Sequence, residues 1–384
     1  MGFLGYKRPD QSAGIRNYVV VMSSVSCANG VVNALSRELP EIKPIAHTEG
    51  CGRGLADIAI STRTLVGLGK NPNVAAILIV GLGCEFIKAA GLADQIKASG
   101  KPVEFLVIQE NGGTIKTTQK GREICKNFLD YANSLKREEC GWDKLTLGLE
   151  CGGSDALSGV TANPVIGVAA DWLASQGGTV ILAETTEMIG TEKILARRAA
   201  DPAMGEKIKS LIQNQEKLTK DILGPLAGLV ISPGNIEGGL STIQEKALGC
   251  IIKAGNSPIN EVVEYSAPPS KKGLVIMDSP GSDIFQLTGM AASGAQITVF
   301  STGRGTPAGF PIMPVIKISS NTELFQKMED DLDLDAGTVL SGKSIEEVGK
   351  KLIALMQEVV NGKQTKAEIN NQDLLAIHTV GPAF

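Results

Sequence analysis

Along most of its length the chain repeats one pattern: a short run of β-branched and aliphatic residues, a glycine-rich polar turn, then a longer stretch with helical spacing. Asn17–Val25, Ile42–Ala46, Ala76–Val80 and Val103–Ile108 read as strands. Val31–Leu39, Ala56–Leu68, Phe86–Ala98 and Ile115–Leu135 read as the helices between and after them. The strand runs are continuously apolar rather than alternating, the mark of strands buried on both faces. Such strands, separated by helices, close into a parallel sheet. The expected fold is therefore α/β: two or three Rossmann-like parallel-sheet domains with helices on both faces.

The pattern restarts near residue 143. Leu145–Leu149 and Thr179–Ala183 read as strands, with Ala162–Ser175 and Ile189–Arg198 as helices. A polar helical stretch, Glu206–Leu223, precedes the glycine-rich segment Ser232–Leu240. Pro258 and the run APPSKK at 267–272 mark another break. After it Gly273–Met277, Gln296–Phe300 and Val315–Ile318 read as strands and Ile345–Val360 as a closing helix. The expected units are 1–143, 144–270 and 271–384.

Composition excludes several classes. The formal net charge of −4 gives no basic face for nucleic acid. The longest apolar runs, such as Val74–Leu82, fall short of the ~18 residues that cross a bilayer. The first ten residues hold no apolar signal core, so a cytoplasmic protein is expected. The cysteines number seven, an odd count in a long chain, which does not suit a disulfide framework.

Four of those cysteines share an address. Cys27, Cys51, Cys84 and Cys151 each follow a predicted strand, and ligands of open α/β sheets bind beyond the carboxyl ends of strands. Their neighbours are glycines and acids: His47-Thr-Glu-Gly-Cys51, Gly81-Leu-Gly-Cys-Glu85, Glu150-Cys-Gly-Gly-Ser-Asp155. Three thiolates suit an iron–sulfur cluster with one iron left open. A thiolate with His47 and carboxylates suits a single iron or zinc ion. Without a C-x-x-C spacing, the residues alone leave both readings open beside plain buried thiols. Cys125 and Cys140 read as structural, and Cys250, in a helix, reads either way.

Other polar clusters occupy the same kind of turn. Asn111-Gly-Gly-Thr114 suits an anion at a helix N-terminus. Ser154, Asp155, Ser158, Thr161 and Asn163 surround a second such turn, and Glu184 and Glu187 follow the strand Thr179–Ala183. Ser232–Gly239 is followed by Thr242, Glu245 and Lys246, and Arg304 sits between glycines in Thr302-Gly-Arg-Gly-Thr-Pro307, suited to gripping a carboxylate or sulfonate.

Taken in order, GYKR, GIRNY, HTEGC, NPNV, GLGCE, ECGGSDALSGVTANP, SPGNIEGGLSTIQEKALG, MDSPG and STGRGTP resemble the altronate/galactarate dehydratase family in its large catalytic region, over nearly the whole chain. Gln11-Ser-Ala departs from the family's usual triplet in the first loop. The resemblance implies an iron-dependent lyase, with mononuclear iron or a cluster, acting on a small 2-hydroxy acid. The α-proton is removed, a group leaves the neighbouring carbon, and the enol becomes a 2-keto acid. Water leaves in a sugar-acid dehydratase; sulfite, with pyruvate, in the related sulfolactate sulfo-lyase. A non-catalytic iron–sulfur protein is the more distant alternative. The resemblance also implies a separate small β-rich subunit; a homo-oligomer is compatible with it, and neither nucleic acid nor membrane is expected as a partner. On this reading Cys51, Cys84, Cys151 and Cys27 hold the metal, and His47, Glu85, Glu187 and Lys246 are the catalytic candidates. Asn111, Thr114, Ser154, Asp155, Asn235, Arg304 and Thr306 are the substrate-binding ones.

Overall fold

The computed structural model describes residues 2–225 and 231–384. It is α/β, with two parallel sheets. The first has four strands in the order Ile42–Ile45, Tyr18–Ser23, Val74–Gly81, Val103–Val107. Its central strand, VAAILIVG, is buried at every position, as the unbroken apolar run requires. The second has seven strands: Ile259–Val263, Gly273–Met277, Thr179–Leu182, Thr146–Cys151, Ile297–Thr302, Val315–Ser319 and Leu334–Asp335.

That second sheet corrects the expected domain division. Gly273–Met277 pairs with Thr179–Leu182, and Ile297–Thr302 pairs with Thr146–Cys151. Segments 144–270 and 271–384 therefore share one sheet, and the break at 267–272 is a loop within it. A small antiparallel sheet also lies outside the expected pattern: Phe3–Lys7 pairs with Ala13–Gly14 and with Glu138–Cys140. These strands are too short and too polar to show a period.

Each parallel sheet has a place where the strand order reverses. In the first, the chain enters at Tyr18–Ser23 and adds Ile42–Ile45 on one side and Val74–Gly81 on the other. In the second, it enters at Thr146–Cys151, adds Thr179–Leu182 on one side and later Ile297–Thr302 on the other. Loops leaving two such neighbouring strands diverge and open a crevice at their carboxyl ends.

The two sheets share a core. One cluster of buried residues takes Val20, Ile77 and Leu65 from the first and Ile181, Met277 and Met290 from the second. The NPNV motif forms polar rivets in this seam. Asn71 Nδ2 donates to the carbonyls of Ala291 and Ala295, both at 2.8 Å. Asn73 Nδ2 donates to Gln296 and Ile312 carbonyls, while its Oδ1 accepts from the Ile15 N–H at 2.9 Å. Each is a buried amide that satisfies backbone groups which would otherwise be desolvated unpaired. Arg16 of GIRNY does the same for the chain's end, gripping Glu368 with Nε and Nη2 and the Val359 carbonyl with Nη1.

Candidate active site

The strand Thr146–Cys151 delivers Glu150 and Cys151 to the carboxyl end of the second sheet, and Thr179–Leu182 delivers Glu184 next to them. Glu187 sits in the short 3-10 turn Thr185–Met188. The helix Ile243–Ile251 brings Lys246 and Cys250, and the turn Ile252–Ala254 brings Lys253. Glu150, Cys151, Glu184, Glu187, Cys250 and Lys253 are all buried.

Glu184 holds a left-handed backbone, φ 72°, a conformation that costs a non-glycine residue about 1–3 kcal/mol. The surroundings hold it there. Its N–H donates to Ser279 Oγ at 2.7 Å, and its Oε1 accepts from the Cys151 N–H at 3.1 Å. Ser279 belongs to MDSPG, and its N–H donates to Thr185 Oγ1 at 3.0 Å, so that loop is buttoned onto the turn carrying both glutamates. Gly152 keeps the same region open, since a side chain there would run into the Asp283 carboxylate.

The charges are arranged in pairs. Lys253 Nζ donates to Cys151 Sγ at 3.1 Å, to Cys250 Sγ at 2.9 Å and to Glu184 Oε2. Lys246 Nζ meets Glu187 Oε1 at 2.6 Å. A hydrogen bond from Cys250 and the Lys253 ammonium hold the Cys151 thiol well below its ordinary pKa, against burial. Burial first, then the Cys151 sulfur, pushes Glu187 up to about 8. Burial also raises Cys250, Asp283 and Glu150, and both Glu150 oxygens lack a partner. Lys246 and Lys253 thus face the thiol and carboxyl groups of Cys151, Cys250, Glu184 and Glu187 within one buried cluster. The sulfur atoms of Cys151 and Cys250 and a carboxylate oxygen from each of Glu184 and Glu187 lie within 4.8 Å of one another, a group that could hold a metal ion.

Lys246 also lines a pocket of about 230 Å³ with Ser154, Asp155, Ser158, Asn163 and Glu245. The Ser154 hydroxyl is buried there without a partner. Asp155 is fully engaged: Oδ1 accepts from the Ser158 N–H and hydroxyl, Oδ2 from the Ser320 hydroxyl at 2.8 Å. Asn235 is likewise built in, capping its own helix and donating to the Ser154 carbonyl at 2.9 Å. Arg304 lies outside, its N–H donating to the Gly153 carbonyl and its exposed guanidinium paired with Glu237 at 2.8 Å. Thr306 Oγ1 accepts from the Ala308 N–H in the same loop.

The remaining candidates sit on the first sheet. His47 has both ring nitrogens engaged: Nδ1 accepts from the Glu49 N–H at 3.1 Å and Nε2–H donates to the Ser23 carbonyl at 2.7 Å. Burial lowers its pKa, so this is a neutral, fixed ring with no free nitrogen for proton transfer. Glu85 is buried and accepts from the Gly83 N–H at 2.6 Å and the Ser24 hydroxyl at 3.1 Å. Asn111 Oδ1 accepts from Lys120, and Thr114 starts the helix Thr114–Ser134. Cys27, Cys51 and Cys84 are exposed and stand apart from the buried group, which takes Cys151 and adds Cys250 instead.

A reading from strand ends misses Lys253 and leaves Cys250 open, because both come from a helix and its tail rather than from a loop after a strand. A lysine in an otherwise apolar IIKAG is the available signal.

Comparison with known proteins agrees with this layout. Residues 142–383 match the family described as D-galactarate/altronate dehydratase, C-terminal, and residues 5–133 match D-galactarate dehydratase/altronate hydrolase, second domain. The altronate dehydratase of Bacillus subtilis is 35% identical, over 99% of this chain and 78% of that protein. The galactarate dehydratase (L-threo-forming) of Escherichia coli is 36% identical, over 94% of this chain and 73% of its own length. The (2R)-sulfolactate sulfo-lyase subunit beta of Chromohalobacter salexigens is 35% identical, over 95% of this chain and 94% of its own. Each of these relatives is named as a dehydratase or a sulfo-lyase, and both are kinds of lyase. The chain belongs to the galactarate/altronate dehydratase family and is a lyase.

Proposed function

We propose that this lyase removes water from a sugar acid of the altronate or galactarate type by α-proton abstraction and β-elimination, yielding a 2-keto-3-deoxy acid. The observation that carries the reading is the Lys246–Glu187 pair, whose lysine lines a pocket with an unpartnered Ser154 hydroxyl. A carboxylate whose pKa is lifted to about 8 is matched to taking a proton near neutral pH. The Lys246 ammonium beside it opposes the charge that develops on the substrate carboxylate as the α-proton leaves. Ser154 offers a hydrogen bond to a substrate hydroxyl, and Asp283, kept protonated more readily by burial and packed against Gly152, is assigned as the proton source for the departing hydroxide.

Iron, which the family resemblance implies, would polarise the substrate's hydroxyl oxygen as a Lewis acid. The thiol and carboxylate donors suit a divalent ion in kind, but the Lys253 ammonium already stands among them. With that lysine in place the buried group does not fit an iron ion.

The test is anaerobic co-expression with a small β-rich partner. The purified protein is then offered D-altronate, galactarate and sulfolactate in parallel, with 2-keto acid and sulfite assayed separately. Keto acid from a sugar acid, lost in Lys246→Ala, supports the reading; turnover of none of the three sinks it. Sulfite release would favour the second reading, a sulfolactate sulfo-lyase large subunit. The match to a subunit beta over nearly all of that polypeptide speaks for it, and also for a partner subunit.

A further inference from the structure

The pocket beside Lys246 keeps two polar groups free after the protein's own hydrogen bonds are made. An ammonium carries three donors. Lys246 Nζ gives one to Glu187 Oε1 at 2.6 Å and one to Asn235 Oδ1 at 3.3 Å, which leaves one for a ligand. The Ser154 hydroxyl is buried and, among the described residues, has no partner. The neighbouring polar side chains are engaged: Ser158 with Asp155, and Asn163 with the Ser301 hydroxyl and the Gly249 carbonyl. The pocket therefore offers one cationic donor and one hydroxyl, a match for a carboxylate with a hydroxyl close by.

One side chain joins these two groups from behind the pocket wall. Asn235 is 2% exposed, and it is not among the residues that line the cavity. The orientation of its carboxamide follows from its partners. Oδ1 accepts from the Ser232 N–H at 3.1 Å, from the Ser232 hydroxyl at 2.9 Å and from the Lys246 ammonium. Nδ2 donates to the Ser154 carbonyl at 2.9 Å. A single planar group thus holds the lysine at one end and the serine's backbone at the other. Aspartate in its place would keep the cap and the lysine but turn an oxygen toward the Ser154 carbonyl. Pro233 and the capping box between Ser232 and Asn235 fix the short helix Pro233–Glu237 from which the amide projects. That helix is stitched to the loop of Ser154 a second time, by the Ala156 N–H donating to the Gly238 carbonyl at 2.9 Å.

We propose that Asn235 is a positioning residue: by tying Lys246 to the backbone of Ser154, it sets the ammonium and the hydroxyl at the spacing that selects an acid bearing a hydroxyl over the same acid without one. The choice of acids rests on the elimination proposed above; the positioning does not. Asn235 itself touches no substrate.

The experiment measures selectivity. The full chain, co-expressed with a small β-rich partner, is offered D-altronate, galactarate and sulfolactate, and the acids of matching chain without hydroxyls: hexanoate, adipate and 3-sulfopropanoate. Acids that are turned over are scored by KM, with the matching acid as competitor; the rest are scored by Kd from calorimetry. Wild type is expected to hold its hydroxy acid at least about tenfold tighter than the counterpart. Asn235→Asp is expected to bring that ratio below about threefold, because the donor to Ser154 is gone. Ser154→Ala is expected to do the same, and the double variant to lose no more than either alone. Ser232→Ala weakens the cap but leaves the Ser232 N–H on Oδ1, so it is expected to keep the wild-type ratio. Circular dichroism checks folding, and Asn235→Ala serves should Asn235→Asp not fold. An unchanged ratio in the folded Asn235 variant overturns the proposal. So do additive losses in the double variant, an equal loss in Ser232→Ala, or a wild type that does not prefer any hydroxy acid. Turnover with an unchanged ratio leaves the elimination standing without this positioning; a lost ratio with no turnover by wild type leaves the positioning standing and sinks the elimination.

Discussion

Replacing Lys253 with methionine tests whether the buried centre is organised around an ammonium or around a metal ion. Methionine nearly fills the volume, so little of the effect comes from a cavity. What goes is one charge, 3.1 Å from Cys151 Sγ and 2.9 Å from Cys250 Sγ, and bonded to Glu184. A pair of unit charges near 4 Å is worth about 4 kcal/mol at an effective dielectric of ~20, and removing one member of a buried pair typically costs about 3–5 kcal/mol. Here the loss strands a carboxylate and a thiolate with no exposed surface. The expected fall in unfolding free energy is therefore about 3–5 kcal/mol. For a cooperative unit of 384 residues, with an unfolding entropy of about 2.1 cal/mol/K per residue, that corresponds to a melting temperature lower by roughly 4–6 °C. Both are read by denaturant and thermal unfolding of chelator-treated protein. Adding Glu184→Gln to the variant should restore part of the loss, because the stranded carboxylate goes with it. A second readout has the opposite sign: with the ammonium gone, two thiols and two carboxylates are left to a cation, and Lys253→Met should bind zinc or ferrous ions more tightly than wild type. A loss under about 1 kcal/mol, within the range of an exposed ion pair, would refute the pairing argument.

Other residues give sharper local tests. Glu187 in the folded chain titrates about 8 against an ordinary 4.5. Its contribution to stability is therefore complete below about 4.5 and lost as pH rises through about 8, and Glu187→Gln should flatten stability over that window. In kinetics the same variant should abolish a limb of kcat/KM that rises near pH 8; an unchanged limb assigns the base elsewhere. Asn73→Ala bares two buried carbonyls and an N–H at the seam between the sheets, a cost of about 2–4 kcal/mol measurable by denaturant unfolding. Ser154→Ala should raise KM for the acid several-fold with little change in stability, because its hydroxyl has no partner within the protein; a destabilised variant with unchanged KM would contradict this.

Much of the fold is legible because fully buried strands announce themselves as unbroken apolar runs. Gly273–Met277, Ala162–Ser175 and Ile345–Val360 begin and end where the residues suggest. The antiparallel strands Phe3–Lys7 and Glu138–Cys140 are not legible, since pairs this short draw their order from each other and not from a local pattern. The assignment of Gly273–Met277 to a third domain fails for a related reason: a polar loop such as APPSKK looks the same within a sheet as between sheets. At the site, the rule that ligands gather at strand ends leads to Cys151 and Glu187. It cannot separate Cys151 from Cys27, Cys51 and Cys84, because the same rule holds once per sheet and the chain has two. Lys253 needs the tertiary structure, where a lysine in an apolar turn finds a carboxylate 69 residues away and a cysteine sulfur 102 residues away.

The bonds at the two ends of the chain bear on how it can be taken apart. Arg16 fastens to Glu368, and the Phe384 N–H donates to the Gly52 carbonyl. The C-terminal tail therefore finishes on the first α/β unit rather than on the sheet that precedes it in sequence. A backbone cut near residue 137, between the two family segments, would leave two fragments still held by the asparagine rivets and by this returning tail. Fragment complementation, rather than independent folding of a 142–383 piece, is the behaviour this wiring favours. Heated intact, the chain should melt in one transition, because neither sheet keeps its seam satisfied without the other.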